Sequence, residues 1–320
     1  MRQTQKPLAF GYTNPGSNTE MKIQDPLTQT AMLVTLTIAI PGMTKKDQDV
    51  TDSVHAQYNT AFNAGGYVKR KYGSLYTRPI TSIATAARSY HRSVTMPWRG
   101  GDRLLPSKLY MEYTAKMGDF KIDFLRARDE FKAVWSDICT EAQNRLGSMY
   151  NANDYPDFYS LDYEFVFNID VNPISKGCHL DLVDLVTDEL DILRDRIDEY
   201  NQKNLEKATQ DLWFRLYEVV EAMQLKMTDE DAKIYRQSIL TNITDLLSLL
   251  GDLNIAQDPQ LEKLALDVQS KLCVYDINDI KGDKHLRADL AQEADDIMNE
   301  MIGHIGFKPK TKNVGTTKNV

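Results

Sequence analysis

Apolar side chains recur every three or four residues between positions 106 and 146, and this spacing constrains the fold more than any other feature of the chain. The mean spacing is close to the helical period of about 3.6 residues. Pro106 suits a first helical turn, and Gly147 suits the residue after a helix. The spacing therefore predicts one helix of roughly 40 residues, about 60 Å long at a rise of 1.5 Å per residue. Its apolar face contains Leu109, Tyr113, Met117, Phe120, Phe124, Ala127, Phe131, Val134 and Ile138.

Most of the remaining chain also has helical spacing. Further helices are predicted near residues 47–62, 79–94, 187–226, 228–250, 258–273 and 283–302. Two segments, near 32–40 and 164–171, are instead rich in β-branched residues or alternate apolar with polar residues, and each is followed by a proline. We expect these two segments to pair. The sequence thus predicts a mainly α fold of long antiparallel helices with a small β element.

The chain has 320 residues, of which 42% are hydrophobic, and this is enough for a large core. We expect a single helical domain with a small sheet over residues 21–303. Residues 1–20 have no periodic pattern and are predicted to be a disordered leader, and it stays open whether they belong to the native protein. Residues 304–320 contain the sequence KPKTKN and are predicted to form a flexible basic tail.

Charge is distributed unevenly along the chain. Residues 1–118 contain 15 Lys/Arg and 7 Asp/Glu, a net charge of +8, whereas residues 119–320 contain 23 and 39, a net charge of −16. The predicted domain therefore has a basic N-terminal part, 21–118, and an acidic helical part, 119–303. Basic and acidic parts of one chain can pair with each other or bind separate partners.

The segment 69–108 concentrates the positive charge, with nine Lys/Arg, one acid and several interleaved aromatic residues. Basic side chains neutralise phosphates while aromatic rings stack on unpaired bases, so this composition fits a single-stranded nucleic-acid surface. The same cations could instead pair with acidic helices of the chain. The candidate anion-binding or nucleic-acid-binding residues are Lys69, Arg70, Lys71, Arg88, Arg92, Arg99 and Arg103.

No pattern of catalytic or cofactor-binding residues is found. His91 shares a helical face with Arg88 and Arg92, but no nucleophile or carboxylate lies near it in the sequence, so we expect no catalytic role. Cys178 and His179 lack a second Cys/His pair for a metal site. The chain has no phosphate-binding loop, dinucleotide-binding glycine motif or nucleophile elbow. We predict no catalytic residue, metal or cofactor, and we favour a protein that is not an enzyme.

Cysteine usage and hydropathy indicate the compartment. The three cysteines are odd in number and widely spaced, which argues against a disulfide framework and favours a reducing cytosol. The most hydrophobic run, residues 31–40, is too short to span a bilayer. We therefore expect no membrane association.

The order of five sequence motifs resembles a family of uncharacterised tailed-phage helical proteins. The motifs are LVTLTI at 33–38, AARSYH at 86–91, PWRGGDRLLP at 97–106, LGSMYNANDYPD at 146–157 and FVFNIDVNPI at 165–174, and the segment DLWFRLYEVVEAM at 211–223 fits the same pattern. The resemblance covers about residues 30–303. It implies a bacteriophage accessory protein in the host bacterial cytoplasm, from a family sometimes encoded near MoxR-type AAA ATPase and VWA-domain genes.

Two hypotheses of function follow from these observations. The first is a non-enzymatic interaction protein that binds a phage or host protein through a helical platform, as an adaptor for a AAA ATPase/VWA system. The alternative is a single-stranded nucleic-acid-binding protein that uses the basic aromatic segment 69–108. The position of the basic side chains relative to the acids separates the two hypotheses, because internally paired cations cannot serve an external ligand.

Overall fold

The computed structural model describes residues 27–177, 187–228 and 237–305. Helices make up most of this part of the chain. They are α1 (Leu27–Thr30), α2 (Gln48–Tyr58), α3 (Ser74–Ser93), α4 (Tyr110–Ala133), α5 (Trp135–Leu146), α6 (Leu161–Glu164), α7 (Thr187–Thr228), α8 (Ser238–Leu253), α9 (Pro259–Leu272), α10 (Ile277–Gly282) and α11 (Lys284–Ile305).

Six short strands accompany the helices. They are β1 (Ala31–Ala39), β2 (Thr44–Asp47), β3 (Tyr67–Arg70), β4 (Met96–Pro97), β5 (Arg103–Pro106) and β6 (Val166–Asn172). β1 and β6 are neighbours in a sheet, as the sequence predicts for its two strand segments. β2 pairs with β3 in an antiparallel ribbon, and β4 pairs with β5 in an antiparallel hairpin that places Met96 opposite Leu104. The predicted mainly α fold with a small β element is confirmed.

The contacts of the chain form two compact units. The first, called here the mixed unit, consists of residues 34–94 and 109–172. The second, called the helical unit, contains residues 95–108, the described residues from 173 onward, and residues 27–33. The boundary between the basic and acidic parts of the sequence does not coincide with these units, because the basic residues 95–108 belong to the unit of the acidic helices.

In the mixed unit, α3 and α4 pack side by side in opposite directions. The Tyr90 and Tyr113 rings are stacked with 6.3 Å between their centroids, and the Tyr72 ring, before α3, meets the Phe131 ring near the end of α4 at 5.7 Å. Each ring pair joins the start of one helix to the end of the other, so α3 and α4 are antiparallel. The core between these elements is apolar and includes the fully buried Phe124, Ile80, Ala84, Met117 and Leu161.

In the helical unit, the long helix α7 packs against α11. Trp213 stacks on His304 with 5.6 Å between ring centroids, and the apolar face of α7 buries Leu212, Leu216 and Tyr217. Two ion pairs join α9 to α11, Lys263–Glu300 at 2.8 Å and Lys271–Glu293 at 3.0 Å. Their order along the two helices makes these helices antiparallel. The β4–β5 hairpin contacts α7 and α8.

The prediction of one continuous helix from Pro106 to Leu146 is wrong. Pro106 ends strand β5, and the helical segment is interrupted at Val134, whose φ of −107° and ψ of 21° lie outside the helical region. The interruption directly precedes Trp135, whose ring packs 5.7 Å from that of Phe131 and 6.0 Å from that of Tyr72. The apolar spacing is the same on both sides of Val134. The spacing therefore does not reveal the interruption of the helix at this residue.

Several expectations fall on residues outside the described part of the chain. These are the disordered leader over 1–20, the basic tail from residue 306, and the start of the helix predicted near 228. The expected tail over 304–320 overlaps α11, which ends at Ile305. No helix in the described part combines the length and apolar character that crossing a membrane requires.

Candidate interaction surfaces

Lys69, the first of the predicted anion-binding residues, is bound to acids of its own chain. Its ammonium lies 3.0 Å from a carboxylate oxygen of Asp47 and 3.0 Å from one of Asp154, and it donates a hydrogen bond of 2.7 Å to the Met149 carbonyl. Only 6% of Lys69 is exposed. Burial acts to lower the pKa of Lys69, but hydrogen bonds to Asp154 and Asp47 outweigh it and raise the pKa.

Three more of the predicted residues bind oxygen atoms of their own unit. Lys71 donates to the Asp154 carbonyl at 3.1 Å, and Arg88 donates to the Ile38 carbonyl at 2.9 Å. Arg103 donates to the hydroxyl and the carbonyl of Thr95 at 2.6 and 2.8 Å. These side chains therefore hold loops and strands in place, and an anion would have to compete with those hydrogen bonds.

Arg70, Arg92 and Arg99 are exposed. Arg70 and Arg92 belong to the mixed unit, and Arg99 belongs to the helical unit. Arg99 lies over the ring of Tyr200 on α7, with 5.4 Å between the guanidinium carbon and the ring centroid. The structure thus leaves three of the seven predicted residues on the surface, and one of them is paired with an aromatic ring.

His91 is a buried structural residue. Its Nδ1 lies 2.8 Å from the Tyr113 hydroxyl, and its ring is 5.8 Å from that of Tyr113. Burial raises the pKa of Tyr113, which keeps this hydroxyl protonated. The contact joins α3 to α4 inside the mixed unit and leaves the His91 ring no open face toward a substrate.

Residues suited to metal binding do not converge in the described part of the chain. No group of three or more His, Cys, Asp or Glu side chains that could hold a metal is present there. Cys178 and His179 lie outside the described residues. Two surface depressions were found, one along α4 beside Ile122 and Asp129 and one along α5 beside Thr140 and Asn144. Each is shallow and lined by a single helix, unlike the concave clefts in which small ligands bind.

The mixed unit presents a group of exposed aromatic side chains on α6 and the turn before it. Tyr159 is 83% exposed, Tyr163 is 85% exposed and Phe158 is partly exposed. Tyr163 lies in α6, and Tyr159 lies in the turn directly before it, four residues earlier in the sequence. We call these three rings, together with the carboxylates of Asp157, Asp162 and Glu164, the Tyr159 surface.

Hydrogen bonds and ion pairs hold the Tyr159 surface in a fixed conformation. Asp157 accepts from the backbone N–H groups of Tyr159 and Ser160 at 2.9 and 3.2 Å. Lys132 on α4 lies 2.6 Å from Asp162, and Leu161 in the same turn is completely buried. The exposed rings therefore project from a turn that is fastened to the core, and their fixed position lowers the entropic cost of binding a partner.

The Tyr159 surface carries negative charge. Asp157, Asp162 and Glu164 are all exposed, and Lys132 on α4 pairs with Asp162. A hydrogen bond from Ser160 and those of backbone N–H groups lower the pKa of Asp157, and the hydrogen bond from Lys132 lowers the pKa of Asp162. Both carboxylates are therefore ionised at neutral pH.

The sequence predictions did not include the Tyr159 surface. Its composition was a usable signal, because the run DFYSLDYE at 157–164 combines aromatic and acidic residues without a cation. This composition does not show which tyrosine side chains are exposed, however. Tyr72, which lies nearby in the fold, is buried, whereas Tyr163 is almost fully exposed.

Comparisons of the chain with protein-family models, curated proteins and solved structures give no match. The function is therefore argued from the surfaces described above.

Proposed function

We propose that the chain is a non-enzymatic interaction protein that binds a partner protein through the Tyr159 surface. The observation that carries the proposal is the exposure of Tyr159 and Tyr163, 83% and 85%, on a turn fastened by buried Leu161. Tyrosine is enriched at protein interfaces because its ring buries a large area and its hydroxyl still finds a hydrogen-bond partner. Two tyrosines on one fixed turn supply the type of anchor that dominates binding energy in such interfaces.

The resemblance to tailed-phage proteins supports a more specific form of this proposal. The partner is then a phage or host protein in the bacterial cytoplasm, and a AAA ATPase/VWA system is the first candidate. The long helices α4 and α7 serve as the platform on which the binding surfaces are built.

Site-specific photo-crosslinking in infected cells tests the proposal. We expect p-benzoylphenylalanine at position 159 or 163 to cross-link one defined protein, identified by mass spectrometry. The control places the same group at position 266, because Leu266 on α9 is also exposed, at 64%, but lies in the helical unit. Cross-linked products that are the same at 159, 163 and 266 would overturn the proposal.

Arg99 favours the alternative function, single-stranded nucleic-acid binding. Its guanidinium lies over the partly exposed ring of Tyr200, so a cation and an aromatic face are presented together, as single-strand binding requires. We expect Arg99→Glu to weaken the retention of single-stranded DNA at low salt and to reduce its salt dependence. Lys284→Glu is the matched control, because it makes the same charge change at another exposed position of the helical unit. Equal losses in both variants would exclude a specific surface.

A further inference from the structure

We propose that the Tyr159 surface recognises a cationic segment of its partner protein, in which arginine or lysine side chains pack on the Tyr159 and Tyr163 rings and pair with the neighbouring carboxylates. This inference rests on the proposed function, since it names the chemistry of the partner at the same surface. It goes further by specifying one type of ligand group, which can be tested without knowing the partner.

The structure already contains one such contact at the edge of this surface. The Lys132 ammonium lies 5.1 Å from the centroid of the Phe158 ring and 2.6 Å from a carboxylate oxygen of Asp162. A cation is therefore held between an aromatic face and a carboxylate, the arrangement in which both attractions act on the same charge. The chain supplies this cation itself at Phe158, and the rings of Tyr159 and Tyr163 remain exposed.

Exposed acids also lie close to the two tyrosines in the sequence. Asp157 precedes Tyr159 by two residues and Glu164 directly follows Tyr163, and both acids are exposed. An aromatic ring attracts a cation to its face, and a carboxylate within a few ångströms strengthens that attraction. A cation bound at the Tyr159 surface can therefore be attracted by the rings and by these acids together.

Charge complementarity distinguishes a cationic partner from the other classes. An acidic segment, or a nucleic acid, would place like charge opposite the carboxylates, which disfavours association. A wholly apolar segment would remove the charged carboxylates of Asp157 and Glu164 from water without supplying a cation, which costs free energy. A segment containing arginine or lysine covers the rings with its aliphatic stem and pairs the acids with its charge.

Fluorescence anisotropy with the full chain and a defined peptide tests the inference. The probe is a fluorescein-labelled peptide of five arginine-glycine repeats, and a peptide of five glutamate-glycine repeats is the comparison. We expect saturable binding of the arginine peptide and none of the glutamate peptide. Tyr159→Leu with Tyr163→Leu should weaken arginine-peptide binding by about 5- to 30-fold, from roughly 2- to 5-fold per exposed cation–π contact. Tyr159→Phe with Tyr163→Phe retains both rings and should weaken it by less than about 3-fold.

A charge control separates recognition from general attraction to an acidic protein. Glu164→Gln should weaken arginine-peptide binding, whereas Glu218→Gln on α7, which removes the same charge at another exposed position, should not. Equal effects of these two substitutions, or an unchanged affinity of the Leu variant, would overturn the inference. Circular dichroism of each variant confirms that the fold is retained.

The two proposals fail differently. If photo-crosslinking at position 159 or 163 captures a partner but the arginine peptide does not bind, the surface is an interface and its cationic specificity is wrong. If the captured partner contacts position 159 or 163 through an arginine- or lysine-containing segment, as sequencing of the cross-linked peptide shows, the inference is supported. If neither experiment gives a signal at these positions, the proposed function itself is refuted.

Discussion

The Lys69 ammonium joins two separate parts of the mixed unit at one buried position. It contacts Asp47 at the start of α2 and Asp154 in the turn after α5. The side chain of Asp154 is only 2% exposed, and Lys45 is its second cation. Removing one member of a buried ion pair leaves the other charge out of water without compensation, so the loss exceeds the net contribution of the intact pair.

We expect Lys69→Met to lower the free energy of unfolding by about 3 kcal/mol, the lower end of the range for breaking a buried pair, because Lys45 remains beside Asp154. Urea unfolding followed by tryptophan fluorescence measures this change. Arg70→Met is the control, since the adjacent Arg70 is exposed and the change should stay within about 0.5 kcal/mol. Lys69→Met with Asp154→Asn should cost less than Lys69→Met alone, because the buried Asp154, which then has only the half-exposed Lys45 beside it, no longer carries a charge. Similar losses in the Lys69 and Arg70 variants would contradict the argument.

The ion pairs of Lys69 and Lys45 with Asp47 and Asp154 predict how the free energy of unfolding depends on pH. Burial acts to raise the pKa of Asp154, but hydrogen bonds from Lys45 and Lys69 outweigh it and lower the pKa, and hydrogen bonds from the Val50 N–H and Lys69 lower the pKa of Asp47. A carboxyl with a lowered folded-state pKa binds fewer protons in the folded chain than in the unfolded chain. Its stabilisation is therefore present above the unfolded-state pKa of about 4 and is lost as the pH falls through the folded-state value.

We accordingly expect the free energy of unfolding to be nearly constant from pH 7 to 5 and to fall below about pH 4. Urea titrations at a series of pH values measure the slope. Asp154→Asn should give a shallower fall in the acid range, because one of the linked protonation sites is missing. An acid slope unchanged by this substitution would show that Asp154 does not have a lowered pKa.

At the scale of the element, α9 illustrates how a cap connects a helix to its neighbour. Asp258 accepts from the N–H groups of Gln260 and Leu261 with one carboxylate oxygen, at 2.9 and 3.3 Å, and from the Trp213 indole with the other, at 2.9 Å. The Asp258 carboxylate therefore accepts hydrogen bonds from the backbone N–H groups at the start of α9 and from a buried donor of α7 at the same time. The sequence predicts this helix start correctly from Asp258 and Pro259.

We expect Asp258→Ala to destabilise the chain by about 2–3 kcal/mol, with about 1 kcal/mol from the lost cap and the rest from the unpaired Trp213 N–H. Asp276→Ala, at the start of α10, removes a cap that bonds only the Asn278 N–H and should cost about 1 kcal/mol. Thermal or urea unfolding of the two variants provides the comparison. Equal losses would show that the Trp213 hydrogen bond contributes nothing.

Elements whose signals are local could be predicted from the sequence. The ends of α9, the apolar faces of α3 and α7, and the two strand segments follow from caps and periodicity within a few residues. The strands β2 and β3 were missed because each has only four residues, two of them Lys or Arg, which is too short for a periodic signal. Lys69 in β3 contacts Asp154, a residue far from it in the sequence.

The candidate sites were less predictable than the elements. Lys69 and Arg99 look alike in the sequence, but one is buried between carboxylates and the other is exposed over Tyr200. The charge pattern of a segment does not specify which acids or carbonyls the fold brings to each cation. The two tyrosines of the Tyr159 surface were likewise indistinguishable from the buried Tyr72.

At the scale of the whole molecule, the two units are interleaved along the chain. The mixed unit is formed by residues 34–94 and 109–172, and the segment between these ranges belongs to the helical unit. Within that segment Met96 and Leu104, opposite each other in the hairpin, are buried. The strands that contain them contact α7 and α8, which come much later in the sequence.

We expect a fragment ending at residue 172 to bind more of the dye ANS than the full chain, because it lacks the helices that pack on the hairpin. Met96→Ser with Leu104→Ser should reduce dye binding by the fragment. In the full chain the same two substitutions should lower the free energy of unfolding by several kcal/mol, since they remove buried apolar groups from a completed core. Dye fluorescence and urea unfolding are measured for both proteins. If the two substitutions have the same effect on dye binding and on stability in the fragment as in the full chain, this division is wrong.

The interleaving of the units also bears on synthesis. A ribosome adds roughly 5–20 residues per second. The hairpin of residues 95–108 therefore leaves the ribosome several seconds before α7 and α8, the helices it contacts, are complete. During that interval the hairpin lacks these two helices, so Met96 and Leu104 lie in a nascent segment that a chaperone can bind or that can aggregate.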